Sequence, residues 1–180
     1  METINIDSTK IDILERLTNA SGVSGDEGAV RSIVRKELQE FEDLVQIDPL
    51  GNVLVRKPGT KGKHRLRVMV AAHMDEVGFM ITSDEDKGFF RFALVGGIDE
   101  RQLVGKAVLV GKDHIPGVIG AKPIHLTRAV ERKKAIPLDS LRIDVGPENK
   151  SKVKVGDRAV FATRFQNLGE SLLAKALDDR

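Results

Sequence analysis

Cysteine is absent from the 180 residues. That excludes disulfides, thiolate metal sites and a cysteine nucleophile together, and it is compatible with a reducing cytoplasm. Tryptophan and tyrosine are missing as well, and all seven aromatic residues are phenylalanine. Stacking platforms for bases or sugars would have to be built from phenylalanine alone, which disfavours carbohydrate and single-strand binding. No run of about 18 apolar residues occurs, and Met1 to Lys10 alternates polar and charged side chains without an apolar stretch of signal-peptide length. A soluble, unexported, cytoplasmic protein without membrane contact is expected. Charge of one sign is also lacking: 29 basic against 27 acidic residues leave a formal +2, mixed along the chain, so no broad field exists to hold nucleic acid. The basic stretch Arg128 to Lys134 reads as a solvated loop. What is there is an ordinary globular composition, 41% hydrophobic and 31% charged, long enough for one sizeable core or two small ones.

Two textures divide the chain. Asp7 and Ser8 offer caps ahead of Ile11, Leu14 and Leu17, and the helix they begin should stop at Ser21-Gly22, where glycine suits a C-terminal cap. Val30, Ile33, Val34, Leu38 and Phe41 recur at three- and four-residue intervals, predicting a second amphipathic helix. Val45 and Ile47, then Val53 and Val55, alternate around Asp48-Pro49-Leu50-Gly51-Asn52, a strand pair with a reversal between. The nearly all-apolar run Leu66 to Ala72 reads as a central strand covered on both faces by helices. From about Phe79 the pieces become short and β-rich: Gly88 to Leu94, Val104 to Val110, Ile115 to Ile119, Leu141 to Val145 and Ala159 to Ala162. Glycine and proline punctuate them, which favours a small β-barrel or sandwich as another domain. Leu168 to Leu177 returns to apolar and small residues.

Ligands in open α/β sheets sit outside the carboxyl ends of strands, and His73 and Asp75 follow the buried run directly. Two residues apart on an extended segment, they point the same way with Met74 turned aside, so an imidazole and a carboxylate can address one site. Imidazole suits zinc or cobalt, and the carboxylate can orient it or help hold a metal-bound water. A surface histidine with an acidic neighbour gives the same spacing. His64 lies in the basic linker Lys61-Gly62-Lys63-His64 and His114 beside Asp113 in a hairpin turn, both expected at the surface. His125 is expected to serve structure or a subunit contact. None of the three is offered as a ligand.

The whole string Val70-Ala71-Ala72-His73-Met74-Asp75-Glu76-Val77-Gly78-Phe79 resembles the metal-binding motif of the tetrahedral aminopeptidases, co-catalytic metallopeptidases that include glutamyl aminopeptidases and proteins labelled endoglucanase or cellulase M. Ser21-Gly22-Val23-Ser24-Gly25-Asp26-Glu27 resembles the family's N-terminal turn. Gly117 to His125 resembles its inserted-domain motif, and Lys175-Ala176-Leu177-Asp178-Asp179-Arg180 its second metal motif, all in the expected order.

The resemblance implies an α/β fold: part of a helix-covered mixed-sheet metallopeptidase domain, residues 1–78 and 166–180, with an inserted dimerisation-type β-barrel, residues 79–165. It implies that His73 is a ligand of one metal, that Asp75 is the catalytic carboxylate orienting it, and that Asp178 bridges two divalent ions, zinc or cobalt foremost. Asp179 would be a neighbour and not a ligand. Two such metals can polarise a scissile carbonyl, lower the pKa of a bridging water and anchor a free amine, so hydrolysis of N-terminal peptide bonds is implied. Peptides would be the substrates, and a homo-oligomer, a dodecamer in the family, the assembly. A glycosidase instead needs two carboxylates facing across a bond, and the side chains of Asp75 and Glu76 diverge on an extended segment.

The family pattern continues past Asp-Asp-Arg with a glutamate general base, a second carboxylate ligand, a further aspartate and a histidine, none present here. Asp178 could cap a helix for which no turn follows. Residues 1–78 and 166–180 are slim for a layer that must house a two-metal site. The expectation is a truncated product, a proteolytic fragment or an interrupted reading frame, catalytically inert by itself. The competing readings are a binding or assembly module built on the β-domain and, third, a glycan hydrolase.

Overall fold

The computed structural model describes residues 7–59, 66–128 and 134–178. His64 and Asp179 lie outside them. Helix α1, Ser8–Asn19, begins where the Asp7 carboxylate accepts the Lys10 amide at 2.9 Å. Its end differs from expectation. Ala20, in extended conformation, closes the helix, and no left-handed glycine is used. The chain must leave α1 extended because Val23 forms a parallel bridge with Glu76 three residues later. Helix α2, Gly28–Glu37, buries Val30 and half-buries Ile33 and Val34, then tightens into a 3-10 segment, Gln39–Leu44.

Strands β1, Val45–Ile47, and β2, Val53–Val55, form the expected antiparallel hairpin. Asp48 organises its turn by accepting the amides of Leu50 and Asn52, each at 2.9 Å. Gly51, at φ +89°, leaves room for the Arg31 guanidinium, whose Nε donates to the Gly51 carbonyl at 2.7 Å.

The run after it overturns one expectation. Residues 66–75 form no strand, and Leu66 and Val70 are 93% and 91% exposed instead of covered on both faces. An apolar run becomes a buried strand only when neighbouring strands take its amides and carbonyls. Hairpin β1–β2 forms a two-stranded sheet of its own, and residues 66–75 join neither of its edges.

Beyond it the chain closes a six-stranded antiparallel barrel. Its strands are β3 (Gly78–Asp84), β4 (Phe89–Val95), β5 (Ala107–Val110), β6 (Ile115–Gly120), β7 (Arg142–Asp144) and β8 (Arg158–Phe161), in the spatial order β3-β4-β7-β6-β5-β8. Five of them match the β-rich pieces read from the sequence. The sixth, β3, continues straight out of the histidine motif and was not among them. Closure removes free sheet edges, and the interior is packed with Phe79, Ile81, Phe90, Val108, Ile119 and Ile143. The Phe79 ring meets Phe92 and Phe161 edge-on at 5.3 and 5.1 Å between centroids. A last short hairpin, β9 (Gln166–Asn167) with β10 (Leu172–Leu173), leads to the turn that carries Asp178. Among the described residues, no helix is long and apolar enough to cross a membrane.

Candidate active site

The histidine motif sits where three segments meet: the turn after α1, the entry into β3, and the turn after β10. Gly78 enforces the junction, since a Cβ there would lie 2.5 Å from Val23 Cγ2 and 2.6 Å from the Ala159 carbonyl oxygen. Only glycine lets the α1 turn and β8 both touch the start of β3.

His73 and Asp75 point together, as the two-residue spacing requires. Nδ1 of His73 lies 3.0 Å from Asp75 Oδ1 and 3.1 Å from its carbonyl oxygen. With Nδ1–H donated to the carboxylate, the neutral ring carries its lone pair on Nε2, the tautomer a metal requires. The Ser24 hydroxyl donates to the other carboxylate oxygen of Asp75. That bond, chiefly, and the one from His73 hold the Asp75 carboxyl below the usual carboxylate value, against the opposing effect of partial burial. Asp75 therefore stays ionised and keeps the imidazole oriented.

Asp178, exposed, lines the same cleft of about 1110 Å³ as His73 and Asp75. Its other walls mix apolar side chains from β2, α2 and the exposed run 68–72 with the polar and charged side chains of Glu27, Gln46, Asn52 and Arg56. All three residues singled out in the sequence line this cleft, and of them His73 and Asp75 are in direct contact. The other two described histidines lie elsewhere. His114 is exposed at the β5–β6 turn with Nε2 2.9 Å from the Ser21 hydroxyl, and His125 is exposed in a 3-10 turn. Imidazole and carboxylate are the right donor types for a divalent cation. The donor set fits in type and not in number: among the described residues no three His, Asp or Glu side chains converge.

A buried ion pair beneath this site escaped the sequence reading. Glu76 and Lys175 have side chains only 2% and 5% exposed, with Lys175 Nζ 2.5 Å from Glu76 Oε1. The same Oε1 accepts the Gly22 amide at 3.0 Å, while Nζ also donates to the Ala20 carbonyl at 2.6 Å. The signal was a lone lysine in the apolar stretch Leu172 to Leu177. Its partner could not be named, because the pair spans 99 positions. Asp75 facing the cleft and Glu76 buried against lysine also means that these two neighbours do not form a facing carboxylate pair.

Over residues 51–180 the chain matches the M42 glutamyl aminopeptidase family, and it belongs to that family. It is 33% identical to the lysyl aminopeptidase of Pyrococcus furiosus, over 94% of this chain and 51% of the relative. Among solved structures it resembles a Pyrococcus horikoshii TET1 peptidase described as assembling into a tetrahedron or a large octahedral shell. The TM-score is 0.78 at 37% identity, covering 94% of this chain and 52% of that one. It also resembles a Thermotoga maritima protein named endoglucanase, with TM-score 0.75 at 35% identity, covering 92% of this chain and 50% of that one. The chain spans about half the length of the relatives it matches.

Proposed function

We propose that the protein is the front portion of a metal-dependent aminopeptidase that hydrolyses N-terminal peptide bonds. The observation that carries this is the Ser24–Asp75–His73 hydrogen-bonded series fronting the same cleft as Asp178, in a chain of the aminopeptidase family. In this reading His73 and Asp178 hold two divalent ions, zinc or cobalt, and Asp75 orients His73. The metals, when bound, polarise the carbonyl and acidify a water. The chain's own residues fix the imidazole tautomer, keep Asp75 ionised and line the cleft with both apolar and polar side chains. Residues 1–78 and 166–180 are the peptidase portion and 79–165 an inserted barrel of the dimerisation type. A cytoplasmic homo-oligomer acting on peptides completes the reading, and the assembly of the TET1 relative supports its oligomeric part.

The same reading holds that these 180 residues turn over no substrate alone, since two proposed ligands do not enclose a dinuclear centre. The test is an assay on aminoacyl chromogenic substrates with added zinc or cobalt. The 180-residue chain should be silent, and a version continued to the relatives' length should show chelator-sensitive turnover. Robust turnover by the short chain would refute inertness, and silence of the long one would refute the enzymatic assignment.

A further inference from the structure

We infer that the buried Glu76–Lys175 pair is a positioning device that locks the turn bearing Asp178 against the segment bearing His73 and Asp75. The inference rests on the metallopeptidase reading for the roles of those three residues. Its physical basis is independent of that reading. Glu76 follows Asp75 directly and lies three residues after His73, while Lys175 lies three residues before Asp178. Three residues of chain reach at most about 11 Å, so joining the two buried side chains confines His73 and Asp178 to one neighbourhood.

The bonds specify register. One oxygen, Glu76 Oε1, receives both Lys175 Nζ and the Gly22 amide, and Nζ reaches the Ala20 carbonyl, so three segments are held at a single point. The Glu76 amide adds a bond to the Gly22 carbonyl at 2.8 Å. The Asp178 segment is otherwise a turn in which Ala176 takes a left-handed conformation, φ +53°, that a residue with a Cβ adopts only under outside constraint. A buried ion pair is a poor device for stability alone, because apolar side chains of similar volume often serve as well or better. What it supplies is directional attachment.

The absence of cysteine permits a direct test. Ala72→Cys and Asp178→Cys, both at exposed positions, carry nitroxide labels, and the distance distribution between them is measured without metal. The parent pair should give one narrow population. Lys175→Met, and the double variant Glu76→Gln/Lys175→Met that leaves no unpaired buried charge, should broaden it at least twofold. Amide exchange of Ile81, Phe90 and Val108 in the barrel should stay unchanged, and Lys175→Arg should restore the narrow population. A narrow, unshifted distance in the double variant would overturn the inference, as would a broad one in the parent. Loss of barrel protection in the double variant would overturn it too, by making the pair a support of the whole fold. Failure of the enzymatic reading is separately visible, as missing turnover in the long version with these distances intact.

Discussion

Asp75 is held from both sides, by a hydroxyl and by an imidazole. Its folded-state pKa is depressed, so its contribution to stability is present above the unfolded carboxylate value, about 3.9, and is lost as pH falls through the folded value. A 13C-detected titration should place the Asp75 midpoint below that of an unperturbed aspartate. Ser24→Ala, which removes the larger cause, should move it upward, and an unmoved midpoint would remove Ser24 from the account. Gly78 makes a second claim at this scale. Gly78→Ala forces a methyl against Val23 and the Ala159 carbonyl, and overpacking of this kind costs about 1–3 kcal/mol. Urea unfolding should show that loss, and a change under about 0.5 kcal/mol would mean the junction can shift. In the sequence, Gly78 was legible as part of a motif, but the crowding that requires it was not. Neither Val23 nor Ala159 is near it in the chain.

Helices and strands were legible to the degree that their own residues paid their way in one pattern. Period-three and period-four spacing located α1 and α2, and alternation around Asp48 located β1 and β2. The run Leu66 to Ala72 has the composition of a buried strand, yet such a strand is a property of its neighbours. Joined to no sheet edge, 66–75 lies open. Val70→Asp should therefore change the stability of the 180-residue chain by no more than about 0.5 kcal/mol, as expected for a surface site. In a version continued to the relatives' length, the same substitution should be strongly destabilising if the run there is a covered central strand. Thermal melts of the two forms make the comparison, and equal shifts would contradict it. Strand β3 was missed for the opposite reason: Gly78 to Asp84 follows the motif without a turn, so nothing in the sequence separates it from the site.

At the scale of the whole molecule the barrel holds the large contiguous core, and the cleft side exposes apolar surface. Barrel residues such as Phe90, Ile119 and Ile143 are fully buried, whereas the residues of α2 and β1 are at most half-buried except Val30. Native-state hydrogen exchange should show the slowest amides in β3 to β8 and markedly faster ones in α2 and the β1–β2 hairpin. Uniform protection would mean that the two parts unfold as one. The buried pair joins them where β3 leaves the motif, so loosening it should act on the cleft first.

The sequence by itself determined the β-rich character of the later half, because hydrophobic period is written in adjacent positions, and its motifs carried the family resemblance that named His73, Asp75 and Asp178 as candidates. Only the tertiary structure decided that the β-rich pieces close a barrel, that Leu66 to Ala72 stays uncovered, and that Glu76 finds Lys175. Those outcomes depend on partners far apart in the chain, and the identity of a partner is settled by folding and not by local pattern.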